Sequence, residues 1–178
     1  MKDRTTLSLV FCALFAALTA VASQLSIPIG PVPINLATLA VFLAGGVLGA
    51  RYGAVSQGVY LLIGAAGLPV FANFKAGVAA LAGPTGGYLI GYVAAAWLIG
   101  LLCSRFGRKP AKLAGILCTG LALCYLLGTA WFIFVTKSGL WSALTLCVLP
   151  FLIGDAVKIA AAVVLIPRLH KIWSSITI

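Results

Sequence analysis

The chain has 178 residues, of which 63% are hydrophobic and only 8% are charged. This composition excludes a soluble globular domain, since such domains carry about a quarter charged residues. It predicts an all-α membrane protein with one integral domain over 1–178, long enough for six transmembrane helices at about 20 apolar residues each. The net charge of +10 lies at the ends of apolar runs, so it indicates membrane topology and not nucleic-acid binding.

Six apolar runs predict the spans, at 6–27, 35–50, 54–66, 88–103, 113–135 and 141–166. Prolines at 28, 31 and 33 end the first run, because proline cannot continue a helix. Pro167 is expected to end the last span for the same reason. A long connection over 67–87 separates the third run from the fourth. Its short apolar middle, Ala76 to Ala82, predicts a re-entrant or interfacial piece.

The positions of the cations predict the topology. With a cytoplasmic N-terminus, nine of the 12 lysines and arginines face the cytoplasm, and only Lys75 and Lys137 lie outside. Cytoplasmic loops are enriched in Lys and Arg, so this bias predicts that both termini are cytoplasmic and that the long 67–87 loop is external. Lys158 is the one remaining cation, and it lies within a predicted span.

An acid within the last span is the strongest functional signal. The chain has two acids, Asp3 near the N-terminus and Asp155 inside an apolar run, with Lys158 three residues later. Ionisable residues inside a membrane face protein, water or a partner charge. At i,i+3 the two side chains share one helix face. They form either a structural ion pair or the lining of a polar pocket. Pro150, about one turn earlier, predicts a kink beside the pair.

Two further segments carry small residues in patterns with two possible meanings. The string Gly83-Pro84-Thr85-Gly86-Gly87 is either a tight turn into the fourth span or a ligand contact through backbone amides. In the first span, Ala13/Ala17 and Ala16/Ala20 are small-x-x-x-small pairs, which let helices approach closely. They serve either internal packing or docking of another membrane subunit.

Several functions lack the residues they require. The chain has no Glu, one histidine (His170) and five scattered cysteines, so no metal site, cofactor site or catalytic set is expected. It also lacks a phosphate-binding loop with a Gly-Lys-[Ser/Thr] ending. We therefore expect a protein that binds or moves a solute and is not itself an enzyme or an ATPase.

Five segments in this order resemble the BioY family, the biotin-binding S components of energy-coupling factor (ECF) vitamin transporters. The resemblance covers most of the chain, roughly from Leu9 to Arg168. The segments are Val32-Pro33-Ile34, Thr38 to Gly45, Gly67-Leu68-Pro69-Val70-Phe71, Gly83 to Gly91 with Gly-Pro-Thr-Gly-Gly-Tyr at its start, and Gly154-Asp155-x-x-Lys158.

The resemblance implies a six-helix fold in a prokaryotic plasma membrane, with an outward cavity that binds biotin with high affinity. It implies an ECF transmembrane coupling subunit and two cytoplasmic ATPase subunits as partners. The coupling subunit would meet the alanine face of the first helix. Asp155 and Lys158 would contact biotin, and the family asparagine would fall on Asn73, with Asn35 as the alternative. Further expected contacts are Thr38, Phe71, Gly86 and Tyr88. One departure is Ala37, where the family often has glutamine.

The ligand's chemistry fits these residues in two orientations. A carboxylate accepts from the ureido N–H groups of biotin, while an ammonium or amide donates to the ureido C=O. Lys158 would instead contact the valerate carboxylate if the ligand were reversed. A different class of function, a self-contained secondary transporter with Asp155 as a proton-coupled site, is disfavoured because the sequence has no inverted repeat and no second intramembrane acid.

Overall fold

The computed structural model describes residues 2–27 and 32–177, with side chains from 5 to 27 and from 32 to 175. Helices dominate it. Two short strands, β1 Ser26–Ile27 and β2 Ile34–Asn35, pair antiparallel after the first helix. The seven helices are α1 Lys2–Gln24, α2 Ala37–Ala65, α3 Val78–Ala82, α4 Gly86–Phe106, α5 Pro110–Thr136, α6 Leu140–Cys147 and α7 Leu152–Thr177.

Five helical segments in the described residues are long and apolar enough to cross a membrane: Thr5–Gln24, Ala37–Ala65, Gly86–Phe106, Pro110–Thr136 and Leu140–Ser175. Large apolar side chains cover their outer surfaces, such as Leu14, Leu126 and Ile153, which is 82% exposed. Apolar surface on this scale is stable in lipid and not in water. The prediction of a helical, multi-pass membrane protein is therefore confirmed.

The chain reverses direction inside α2. Gly49 has a non-helical backbone with φ 83°, a value that glycine adopts readily. A Cβ on Gly53 would lie 2.9 Å from the Gly45 Cα, whereas residues eight apart in a straight helix are about 12 Å apart. The segments before and after Gly49 therefore pack against each other as a hairpin. Gly100 of α4 packs onto the turn, since a Cβ there would lie 2.2 Å from the Ala50 nitrogen.

Two side chains hold the backbone carbonyls that precede this turn. Arg108 Nε donates to the Gly46 carbonyl at 2.7 Å, and Nδ1 of His170 lies 2.9 Å from the Val47 carbonyl. The last carbonyls of a helix have no partner within it, so these side chains act as a cap. Burial lowers the pKa of the Arg108 guanidinium, although arginine keeps its proton in proteins.

Pro150 and Pro167, in and just after the last predicted span, have different effects on the helix. A 3₁₀ turn at Leu149–Phe151 divides it into α6 and α7, so the kink predicted at Pro150 is confirmed. The prediction that Pro167 ends the helix is wrong, because α7 continues through it to Thr177. Proline removes one hydrogen-bond donor, but packing on both sides of Pro167 retains the helix. Ile166 is fully buried, and the Trp173 ring lies edge-on to that of Phe11 with centroids 4.8 Å apart.

The connection from α2 to α4 contains short ordered pieces. It has a 3₁₀ turn at Ala72–Phe74 and the helix α3, which coincides with the short apolar piece expected at 76–82. Phe71 within it is buried, and it lies edge-on to Tyr60 of α2 with ring centroids 5.5 Å apart. This packing places the connection against a cavity, which Phe71 helps to line.

Candidate functional site

Asp155, Lys158 and Thr38 form a buried polar triangle. Lys158 Nζ donates to Asp155 Oδ1 at 2.8 Å and to Thr38 Oγ1 at 3.0 Å, and the threonine hydroxyl donates to Asp155 Oδ1 at 3.3 Å. Asp155 is 2% exposed and Lys158 is 6% exposed. The i,i+3 pairing expected from the sequence is therefore present, and Thr38 of α2 joins it.

Local structure explains how the carboxylate is held. The break at Leu149–Phe151 makes Leu152 the first residue of α7, so Asp155 lies in the first helical turn. Free backbone N–H groups and the helix dipole favour a negative charge at that end. One turn later, the Lys158 ammonium lies on the same helix face and balances the charge of the carboxylate.

Tyr125 of α5 completes the surroundings of the carboxylate. Its hydroxyl donates a hydrogen bond to Asp155 Oδ2. Tyr125 was not among the site residues predicted from the sequence. A signal was present, because a tyrosine in the middle of an apolar span needs a partner for its hydroxyl when it is buried.

These polar groups and several aromatic side chains line one cavity. The two other predicted residues on its lining are Phe71 and Tyr88. Both rings pack directly against a glycine. If Gly64 carried a Cβ, it would lie 2.1 Å from the ring of Phe71, and a Cβ on Gly128 would lie 2.3 Å from the ring of Tyr88. The other aromatic residues of the lining are Tyr60, Tyr92, Tyr125 and Phe151.

Hydrogen bonds fix the Tyr88 wall in place. Its hydroxyl shares a hydrogen bond of 3.0 Å with Thr129 Oγ1 and donates to the Cys147 carbonyl at 3.3 Å. Since α4, α5 and α6 each contribute one of these residues, the ring orientation depends on the packing of three helices.

The two candidate asparagines lie in different environments. Asn35 lines the cavity, and its Oδ1 accepts from the Ala37 N–H at 3.0 Å, which leaves its NH₂ group for other contacts. Asn73 is exposed on the loop, and its Oδ1 accepts from Ser26 Oγ at 2.9 Å. Asn73 lies in a left-handed turn (φ 59°) and is not among the residues that line the cavity, so its contact with a ligand stays a prediction.

Gly86 also lies away from the cavity lining. A Cβ at this position would lie 1.7 Å from the Leu81 carbonyl oxygen, and Trp131 packs close by. Its N–H donates to the Gly83 carbonyl at 3.0 Å within the turn. The neighbouring Thr85 does line the cavity. The tight-turn interpretation of 83–87 therefore describes Gly86 better than ligand contact does.

The alanines predicted to dock a partner lie together along one side of α1. Ala13, Ala16, Ala17 and Ala20 line a shallow apolar groove between α1 and the second half of α2. Ala16 is buried, whereas Ala13 and Ala17 are exposed. This groove is separate from the polar triangle, although Tyr60 lies between the two and lines both.

Metal-binding clusters are absent from the described residues: no group of three or more His, Cys, Asp or Glu side chains could hold an ion there. The four buried cysteines among them are Cys12, Cys103, Cys124 and Cys147. Hydrogen-bonding and aromatic groups are among the residues that line the cavity.

Comparison with known proteins matches almost the whole chain. The sequence pattern of the BioY family matches residues 1–175. The biotin transporter BioY of Thermotoga maritima is 40% identical over 164 residues, covering 92% of this chain and 96% of the relative. The probable biotin transporter BioY of Pyrococcus horikoshii is 45% identical over 158 residues, covering 89% and 93%. The crystal structure of an S component for biotin from an ECF-type ABC transporter superposes with a TM-score of 0.89 at 31% identity, covering 96% and 94%.

Proposed function

The chain belongs to the BioY family, and on that premise we propose that it is the biotin-binding S component of an ECF-type importer. The observation that carries the proposal is the buried triangle of Asp155, Lys158 and Thr38 on the wall of an aromatic cavity. No observation favours the secondary transporter.

The unused hydrogen-bonding capacity of the triangle matches a ureido ring. An ammonium has three donors, and Lys158 uses two of them on Asp155 and Thr38 within the described part of the chain. A carboxylate offers about four acceptor sites, and Asp155 uses three, on Lys158, Thr38 and Tyr125. One donor of the ammonium and one acceptor site of the carboxylate thus remain. They would bind the ureido C=O and one adjacent N–H.

Asn35 would contribute the amide donor that was first assigned to Asn73. Asn35 lines the same cavity beside Tyr92, and its side-chain carbonyl accepts from the first N–H of α2. The apolar thiophane ring and valeryl chain of biotin would lie against Phe71 and Tyr88. Aromatic walls of this kind are typical of small-molecule sites with a few convergent polar groups.

The same proposal includes topology and partners. The hairpin at Gly49 divides α2 into two antiparallel segments, which supports six spans with both termini in the cytoplasm and the 67–87 loop outside. The groove along Ala13, Ala16, Ala17 and Ala20 supports docking of the transmembrane coupling subunit. Two cytoplasmic ATPase subunits would supply the energy, in the plasma membrane of a prokaryote.

Purification of the chain followed by mass spectrometry of the released small molecules tests the substrate. Biotin as the co-purified ligand, and saturable biotin binding by the emptied protein, are expected. A different vitamin in the site would refute the assignment.

Ligand orientation is tested with biotin methyl ester, which keeps the ureido ring and lacks the carboxylate. If Lys158 contacts the ureido ring, Lys158→Met weakens biotin and its ester by the same factor. If it contacts the valerate carboxylate, wild-type protein prefers biotin and Lys158→Met loses that preference. The second outcome would refute the ureido assignment of Lys158.

A further inference from the structure

The amide of Gln24, the last residue of α1, bonds to the loop that covers the cavity. Its Nε2 donates to the carbonyls of Pro69 and Phe71 at 3.1 and 3.0 Å, and its Oε1 accepts from the Phe74 N–H at 3.1 Å. One side chain therefore satisfies three backbone groups of the segment 69–75. Loop backbone groups left without partners are costly when they are shielded from water.

A second attachment lies one residue earlier. Ser23 Oγ is 2.5 Å from the Val70 carbonyl, and Tyr60 Oη donates to the same carbonyl at 3.3 Å. Ser23 is 1% exposed, whereas Gln24 is half-buried. The end of α1 thus holds four loop positions, 69, 70, 71 and 74, through the side chains of Ser23 and Gln24.

The loop needs such support because its backbone is strained. Asn73 and Phe74 have φ values of 59° and 56°, a region that residues with side chains rarely adopt and that persists only when the surroundings enforce it. The Phe74 side chain is 71% exposed, so its packing does not hold the turn. Gln24 bonds to the N–H of that same residue.

The segment that is held forms part of the ligand cavity. Phe71, Ala72 and Lys75 line it, and the strand-like bridge between Phe71 and Lys75 closes the loop around Asn73. If the segment lifts, the aromatic wall at Phe71 and its backbone leave the cavity together.

We propose that Gln24 is a positioning residue that holds the segment 69–75 over the cavity and thereby sets the rate at which ligand leaves. The inference rests on the proposed function only in taking biotin as the ligand. Gln24 acts through the loop and not through contact with the ligand.

Gln24→Met keeps the length of the side chain and removes its hydrogen bonds, so it is the main test. Because three bonds at a half-exposed position are lost, biotin dissociation from the purified protein is expected to be about tenfold faster, with the association rate changed less. Gln24→Glu keeps the acceptor for Phe74 but sets carboxylate oxygens against two carbonyls, so it should release biotin at least as fast. Leu25→Ala, which truncates an exposed neighbouring side chain, is the control and should match wild type.

Trypsin cleavage after Lys75 tests the loop without any ligand. Cleavage of a transiently opened segment follows the population of its open form, so ligand-free Gln24→Met should be cut at Lys75 several-fold faster than wild type. Cleavage after Lys137, exposed in another loop, is the internal control and should not change.

Two results would overturn the proposal. One is a Gln24→Met protein whose biotin dissociation and Lys75 cleavage both stay within twofold of wild type. The other is a lower unfolding temperature of the ligand-free variant with faster cleavage at Lys75 and Lys137 alike, which would assign Gln24 to overall stability. If wild-type protein does not bind biotin, the proposed function fails, and the trypsin comparison still decides the role of Gln24.

Discussion

Replacing Asp155 by asparagine is expected to weaken biotin binding by at least tenfold. The carboxylate is 2% exposed and accepts from Lys158, Thr38 and Tyr125. An amide at this position removes the charge and turns one acceptor into a donor that faces other donors. Hydrogen bonds to charged groups contribute about 1.5–3 kcal/mol, and each 1.4 kcal/mol is tenfold in Kd. The loss in affinity should therefore be about 10- to 150-fold if biotin uses the remaining acceptor site.

The same substitution should also destabilise the protein, since the ammonium of Lys158 is only 6% exposed and loses its counter-charge. Removing one partner of a buried ion pair costs about 3–5 kcal/mol. Asp155→Asn/Lys158→Met removes both charges, so it should regain most of the stability of wild type without regaining binding. Asp3→Asn, an identical exchange at the chain's other acid, is the matched control.

Equilibrium binding of labelled biotin to the detergent-solubilised proteins, together with thermal unfolding without ligand, measures both effects. If the biotin affinity of Asp155→Asn stays within twofold of wild type, the carboxylate does not contact biotin. Full binding by the double variant would contradict the same contact, because the pair would then serve only the fold.

Three further substitutions separate the other roles. Thr38→Val removes the hydroxyl that bridges Asp155 and Lys158 and should weaken biotin binding by about 2- to 10-fold. The control Thr119→Val, on an exposed helix face, should leave binding unchanged. Equal effects of the two substitutions in binding assays would contradict the bridging role. Asn35→Asp keeps the oxygen that accepts from the Ala37 N–H but loses the NH₂ donors. We expect an unchanged unfolding temperature and at least tenfold weaker biotin binding. Unchanged affinity would exclude Asn35 from the binding site. Ala17→Leu, in the exposed groove along α1, should leave biotin binding intact and abolish ATP-driven uptake by the assembled transporter. Ala122→Leu, at an exposed position of α5, is the control and should support normal uptake.

Features that depend on neighbours in the chain could be predicted from the sequence alone. The membrane class follows from the apolar surplus, and the Asp155–Lys158 pair follows from the helical period, because i,i+3 side chains meet on any helix. The break at Pro150 follows from the missing N–H and fixed φ of proline. Pro167 shows the limit of that rule, since packing of Ile166 and Trp173 retains the helix around it.

The partners of the pair were decided by the tertiary structure. Thr38 is 117 positions from Asp155 and Tyr125 is 30 positions away, so only the packing of α2 and α5 against α7 brings them together. The choice between Asn35 and Asn73 likewise depends on which way the loop turns at positive φ. A membrane protein with a charged pair in its last span can be predicted from the order of the residues alone. Only the packing of distant helices decided what surrounds that pair, because contacts across helices depend on how close the backbones come and not on spacing along the chain.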